Sequence, residues 1–301
     1  MPLNRIYHSV VLVKQVPDTR NVTGEVMTAE GTMNRSALPA IFNPEDLNAL
    51  EMALSIKDQH GGSVTVITMG PMQAAEVLRQ ALFRGADRVV LLSDRKFAGA
   101  DTQATSYTLK CAVEKLGGYD LVFCGRQAID GDTAQVGPQL AEKLGIPQIT
   151  SAESIIDLEG DEIVVRRSFE LGTELVKCQL PCLLTVVGSA NRPRPASARK
   201  RIEYKMAAIA SEYPKLLKKW PEFENEQSLN KYLEQHKLSI EVWTAVDLNV
   251  NEHELGLAGS PTQVYKVNYV VLETADSKEI QPTVEGIQEL IAELVKEYIV
   301  E

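Results

Sequence analysis

Residues 125–138 read GRQAIDGDTAQVGP and lie between the apolar run YDLVFC and the segment QLAEKLGIP. Asp130 and Asp132 thus flank Gly131 where a strand hands over to a helix. The spacing predicts a helix over 133–145, with Asp132 as its N-cap and Gln135 closing a capping box three residues later. Gly131 permits a positive φ or a close backbone approach. The first amides of that helix, on Thr133, Ala134, Gln135 and Val136, then point at whatever sits above it. With the helix dipole behind them they suit a phosphate. Thr133 and Gln135 add neutral donors, and Thr102 and Thr105 do the same at the neighbouring helix start. Asp130 and Asp132 would repel an anion, so their carboxylates are expected on backbone or a sugar hydroxyl. A divalent cation at the pair is disfavoured, because no third carboxylate follows at loop spacing.

The elements that position this corner alternate strictly. Strand-like runs over 9–16, 63–70, 86–94 and 119–125 are followed by helical patterns over 44–59, 71–85, 101–117 and 133–145. Asn43 is read as the N-cap of the first helix, with Pro44 at its first position and Asp46 three residues after the cap. This alternation implies an α/β fold, a mostly parallel sheet with helices on both faces. Right-handed crossovers place every strand's C-terminal loop on one edge of that sheet, where ligands of such folds lie. Beyond 150 the style changes to short alternating runs, read as a hairpin and further strands. Residues 199–238 read as a basic helical insertion, and 246–301 as a C-terminal arm closing on an amphipathic helix over 282–300. The nucleotide-binding domain is therefore expected over 1–245.

Composition narrows the function. The net charge of −10 argues against nonspecific nucleic-acid binding, and no apolar run approaches a membrane span. Cys111, Cys124, Cys178 and Cys182 are expected as reduced thiols of a cytoplasmic protein. The four histidines lack ligand spacing, so a zinc site is not expected. There is no G-x-G-x-x-G after the first strand, no P-loop and no nucleophile elbow. The cluster Arg199, Lys200, Arg201, Lys205, Lys215, Lys218 and Lys219 reads as a solvated face or as a docking surface for an acidic partner.

Six segments, VLVKQVPDT, NPEDLNALEMAL, FAGADTQATSYTL, GRQAIDGDTAQVGPQLAEKLGIP, IEVWTAVDL and LGLAGSPTQV, together resemble the beta subunit of electron-transfer flavoprotein, in order from about residue 7 to 265. The resemblance implies a Rossmann-like adenine-nucleotide-binding fold and a heterodimer. The C-terminal arm would wrap an alpha subunit that carries its own FAD. Conventional members bury an AMP in the beta subunit. Bifurcating members hold there a second FAD, which takes hydride from NADH and passes one electron to the alpha-subunit flavin and one to ferredoxin or flavodoxin. Gly131, Thr133 and Ala134 stand where conventional members carry bulkier residues, and NPED replaces their NPF turn, so FAD is expected rather than AMP. The resemblance places adenine near Leu12, Val13, Lys14, Met69 and Gly70. Ribose and phosphates fall near Asn43, Asp46 and Gly131 to Val136, with Asp130 beside them. Asp101, Thr102 and Thr105 would meet the longer cofactor. Cys124, Gly125 and Arg126 end the strand below it. Arg126 would lie over the isoalloxazine or pyrophosphate, or else form a surface salt bridge. The segment 191–199 matches the loop with which conventional members dock on acyl-CoA dehydrogenases through a protruding apolar side chain. Here only Ala196 and Ala198 are apolar besides prolines, so a different dehydrogenase or reductase partner is expected.

Overall fold

The computed structural model describes residues 5–18, 39–262 and 279–296. Its centre is a nine-stranded sheet in the order β11-β5-β4-β1-β6-β10-β7-β8-β9. The strands are β1 (Tyr7–Leu12), β4 (Gly62–Met69), β5 (Arg88–Leu92), β6 (Leu121–Gly125), β7 (Gln148–Glu159), β8 (Glu162–Phe169), β9 (Gly172–Gln179), β10 (Cys182–Val186) and β11 (Glu241–Trp243). The seven from β11 to β7 pair in parallel, while β8 and β9 extend the sheet as antiparallel neighbours. This is the expected α/β class. The central strands read as apolar runs because helices cover both faces.

The order of strands locates the crevice. From β1 the chain runs through α1 (Pro44–His60) to β4 and through α2 (Ala75–Leu82) to β5. It then returns through α3 (Thr102–Leu116) to β6, on the other side of β1. The winding direction reverses between β1 and β6, so the loops after these two strands diverge and leave a cleft. One apolar cluster fills the face under α1 and α2, around Leu50, Leu54, Leu78 and Phe123. The other lies under α3 and α4 (Val136–Leu144), around Ile67, Leu92, Val122 and Leu140.

Several boundaries differ from the pattern in the sequence. The first run divides into β1 and a short β2 (Gln15–Pro17), which leaves the main sheet to pair antiparallel with β3 (Ala40–Phe42). The expected helix over 71–85 opens with a 3-10 turn at Met72–Ala74 and stops at Leu82. The basic insertion forms α5 (Ala198–Glu203), α6 (Tyr213–Lys219) and α7 (Glu226–Gln235). The latter two close over a separate small core of Met206, Tyr213, Leu229 and Leu233. Residues 246–262, the start of the expected C-terminal arm, lie on the chain itself. Leu248 and Leu255 are buried in the α3 face, and Leu257 N–H donates to the Ala98 carbonyl at 3.0 Å. The closing helix α8 (Val284–Lys296) has no buried residue. Residues 263–278 and 297–301 of the expected arm fall outside the described ones. No helix among the described residues is long and apolar enough to cross a membrane.

Candidate functional site

Beyond the carboxyl ends of β1, β4 and β6 lies a cavity of about 610 Å³, well inside the range of small-molecule sites. One wall is the turn after β1, with Leu12, Val13 and Lys14, and Met69 ends the neighbouring strand β4. The loop after β6 supplies Cys124, Gly125, Arg126 and the stretch Gly131 to Val136. The start of α3 supplies Asp101, Thr102 and Thr105, and Asp46 reaches in from α1. Asn43, Gly70 and Asp130, also singled out in the sequence, are not part of the lining. Pattern reasoning missed Phe97, Leu109, Gln127, Gly137 and Thr262, which do line it. Gln127 and Gly137 sit inside the quoted 125–138 segment and were within reach. Thr262 is brought in from 161 residues beyond Asp101 by tertiary contact alone.

Asp46 joins the two sides of the switch point. Its Oδ2 accepts the Lys14 N–H at 2.8 Å, and its Oδ1 accepts the Gly125 N–H at 2.9 Å. One carboxyl on α1 therefore pins the strand ends of β1 and β6. Burial pushes its pKa up from 3.8 to about 7, against the lowering pull of those two amides. Asn43 does similar work in an unexpected way. It occupies the N-cap position of α1, yet its side chain makes no capping bond. Fully buried, it accepts the Ile129 N–H at 3.1 Å and donates to the Gln127 carbonyl at 2.9 Å. Both groups of the amide are satisfied by the 127–129 loop, so Asn43 holds that loop in place.

The 130–135 segment corrects the expected geometry. The helix starts at Val136, with Gln135 at the N-cap position, and no Asp132–Gln135 capping box forms. Asp132 and Ala134 have φ of 49° and 51°, left-handed values that a helix starting at 133 excludes. Nor do the aspartates bond backbone among the described residues: Asp130 takes the Lys14 ammonium at 2.8 Å through both oxygens, and Asp132 accepts from Gln127 Nε2 at 3.1 Å. Lys14 reaches Asp130 from the adjoining wall, which sequence order cannot show, whereas Gln127 belongs to the same loop as Asp132. The amides of Thr133 to Gly137 meet no acceptor among the described residues. Left-handed Ala134 is followed by right-handed Gln135, a pairing that in general turns successive amides toward one side and favours an anion there. Thr102 Oγ1 donates to Gln135 Oε1 at 3.1 Å and ties this turn to the start of α3.

Two glycines are set by close packing. A Cβ on Gly137 would lie 2.7 Å from Thr185 Cγ2 and 2.8 Å from Cys124 Sγ, so its absence lets α4 settle on β6 and β10. A Cβ on Gly125 would lie 2.5 Å from Asp46 Oδ1. Gly131 differs: its φ is not positive, and an added Cβ would meet nothing within 4 Å. Arg126 is paired with Glu45 at 3.2 Å and is still half exposed along the cavity. Asp101 caps α3 through Ala104 N–H at 3.0 Å, and its other oxygen accepts from Thr262. Both of its oxygens are thus committed within the chain. Burial, with the Asp46 and Glu45 carboxylates adding, pushes the Cys124 thiol far up. All four cysteines are free. In the 191–199 loop, Arg194 is committed to Glu51 and Asp58, both at 2.8 Å. The most exposed apolar side chain nearby is Ile202, at 70%, three residues beyond that loop.

Fold and site together define a Rossmann-like α/β protein whose crevice lies at the switch point of its sheet. Residues 30–210 match the electron transfer flavoprotein domain. The chain is 43% identical to the electron transfer flavoprotein subunit beta of Thermoanaerobacterium thermosaccharolyticum, covering 97% of this chain and 99% of that one. It is 43% identical to the caffeyl-CoA reductase-Etf complex subunit CarD of Acetobacterium woodii, over 85% of this chain and 86% of that one. It is 38% identical to the acryloyl-CoA reductase electron transfer subunit gamma of Anaerotignum propionicum, over 98% and 100%. The chain belongs to the electron transfer flavoprotein family, among its beta subunits.

Proposed function

We propose that the cavity holds an FAD, gripped by its diphosphate at the 132–137 turn, and that the chain works as the beta subunit of an electron-bifurcating complex. The observation that carries this reading is the run of amides from Thr133 to Gly137, without acceptors among the described residues, on a turn bent by left-handed Asp132 and Ala134. The dipole of α4 adds to the pull on an anion. Leu12, Met69, Phe97 and Leu109 offer apolar walls, and Thr102 and Thr105 offer hydroxyls. The open space beyond Gly131 supports a ligand longer than one nucleotide. Asp46 and Asn43 act indirectly, by fixing the loops that carry the amides. Arg126, restrained by Glu45, brings positive charge to the mouth.

Bound there, FAD would supply the acceptance of hydride from NADH, releasing its proton and passing the two electrons singly, one to the alpha-subunit FAD and one to ferredoxin or flavodoxin. The chain's residues hold the diphosphate, orient the cofactor and exclude water. A dehydrogenase or reductase acting on acyl-CoA is the proposed further partner, supported by relatives named as parts of caffeyl-CoA and acryloyl-CoA reductase systems. The exposed Ile202 among Arg199, Arg201 and Lys205 is its proposed contact.

The test is flavin counting on the purified two-subunit complex. Two flavins are expected in the wild type, and one in Gly131→Val, whose side chain is expected to occupy open space beside the cavity without disturbing the fold. One flavin with AMP in the wild type would remove bifurcation and leave the family assignment. Two flavins in the variant would move the site elsewhere.

A further inference from the structure

The cavity has a wall that arrives late in the chain. Thr262 lines it, although α3 and the 131–137 turn carry most of the neighbouring lining. The segment from Gly256 to Thr262 is fastened to the loop before α3 by a compact set of bonds, and Asp101 is their hub. Its Oδ1 accepts the Ala104 N–H, capping α3. Its Oδ2 accepts both the Thr262 N–H at 3.1 Å and the Thr262 hydroxyl at 2.7 Å. Its own N–H donates to Ser260 Oγ at 2.8 Å, and that hydroxyl donates in turn to the Gly256 carbonyl at 2.7 Å. Gly256 sits at φ of 50°, and a Cβ there would lie 2.2 Å from the Lys96 carbonyl, so the segment must lie flat on this loop.

We infer that Asp101 is a positioning residue that couples ligand binding in the cavity to the anchoring of residues 256–262. One carboxylate holds the start of α3, which bears Thr102 and Thr105 on the cavity, and also the 256–262 segment, whose Thr262 joins the lining. Loosening either end displaces lining residues, and a ligand touching both sides tightens the clasp. Linkage makes the effect reciprocal: whatever factor the clasp contributes to ligand affinity, the ligand contributes to closure of the clasp. This extends the reading of the cavity as an adenine-nucleotide site and rests on it.

The test uses the purified two-subunit complex, with FAD and AMP as the probes added after removal of bound nucleotide. Amide hydrogen exchange is followed at 256–262, and dissociation constants are measured for the wild type, Asp101→Asn and Thr262→Val. Thr262→Val keeps the helix cap and the shape and removes only the hydroxyl donor. Added FAD or AMP is expected to slow exchange at 257–262 in the wild type. Both variants are expected to speed that exchange and to weaken nucleotide binding, within the about 5- to 150-fold range of typical couplings. If Thr262→Val speeds exchange while affinity for both probes stays unchanged, or if neither probe slows exchange in a wild type that binds it, the coupling is refuted. A wild type that binds neither probe, or in which Gly131→Val leaves binding intact, refutes the nucleotide reading itself and the coupling with it.

Discussion

Replacing Asp46 by asparagine sets two effects against each other, and their balance depends on pH. Each carboxyl oxygen accepts one backbone N–H, from Lys14 and from Gly125. Asparagine keeps one acceptor and turns an NH2 toward the other donor, leaving a buried N–H unpaired at a cost of about 1–3 kcal/mol at any pH. The wild-type carboxyl titrates at about 7 in the fold and near 3.8 when unfolded, because it is fully desolvated. The folded state therefore binds the proton more tightly. Its advantage is complete below 3.8 and is lost as pH rises toward 7, a change of about three units or roughly 4 kcal/mol. Asparagine does not titrate, so the stability difference between the two proteins cancels every other group. Denaturant midpoints measured from pH 4.5 to 8 are expected to show the difference moving by about 3 kcal/mol in favour of Asp46→Asn. The variant starts below the wild type and ends level with or above it. A difference that is flat with pH, or that grows in the wild type's favour, would show that the two amides outweigh burial and would overturn the assignment of a raised pKa.

Other substitutions test the walls of the cavity. Gly137→Ala forces a methyl against Thr185 and Cys124 and is expected to cost about 1–3 kcal/mol in a denaturant titration. Loss of the same size in Gly131→Val would contradict the open space found there, since that variant is expected to unfold within about 0.5 kcal/mol of the wild type. Lys14→Met breaks the ion pair with Asp130, but the lysine is half exposed, so global stability is expected to change by less than about 1 kcal/mol.

The class of fold was legible in the chain because its signals are local. Alternating apolar strands and helical stripes, with glycine stops, gave the α/β order and the sheet edge on which ligands sit. The antiparallel additions after 150 also followed from short runs around a turn. The 125–138 corner was recognisable as the turn at the ligand edge of such a sheet, and most residues chosen from it line the cavity. Its internal geometry was not legible. Asp132 followed three residues later by Gln135 satisfies the local rule for a capped helix, yet Asp132 accepts from Gln127 within its own loop and Gln135 accepts from Thr102 at the start of α3. Asn43 likewise has a cap's position and a different task, because the 127–129 loop lies within reach of its amide.

Sequence alone determined the periodicities, the charge and the succession of motifs, since these depend on neighbours a few residues apart. Only the tertiary structure decided which groups share a proton donor or acceptor across the switch point. Asp46 and Asp101 look like ordinary helix-start acids in the chain. They bridge distant segments in the fold: buried Asp46 must find its hydrogen bonds wherever the packed walls supply them, and the partly exposed Asp101 meets Thr262 because the 256–262 segment is packed against it.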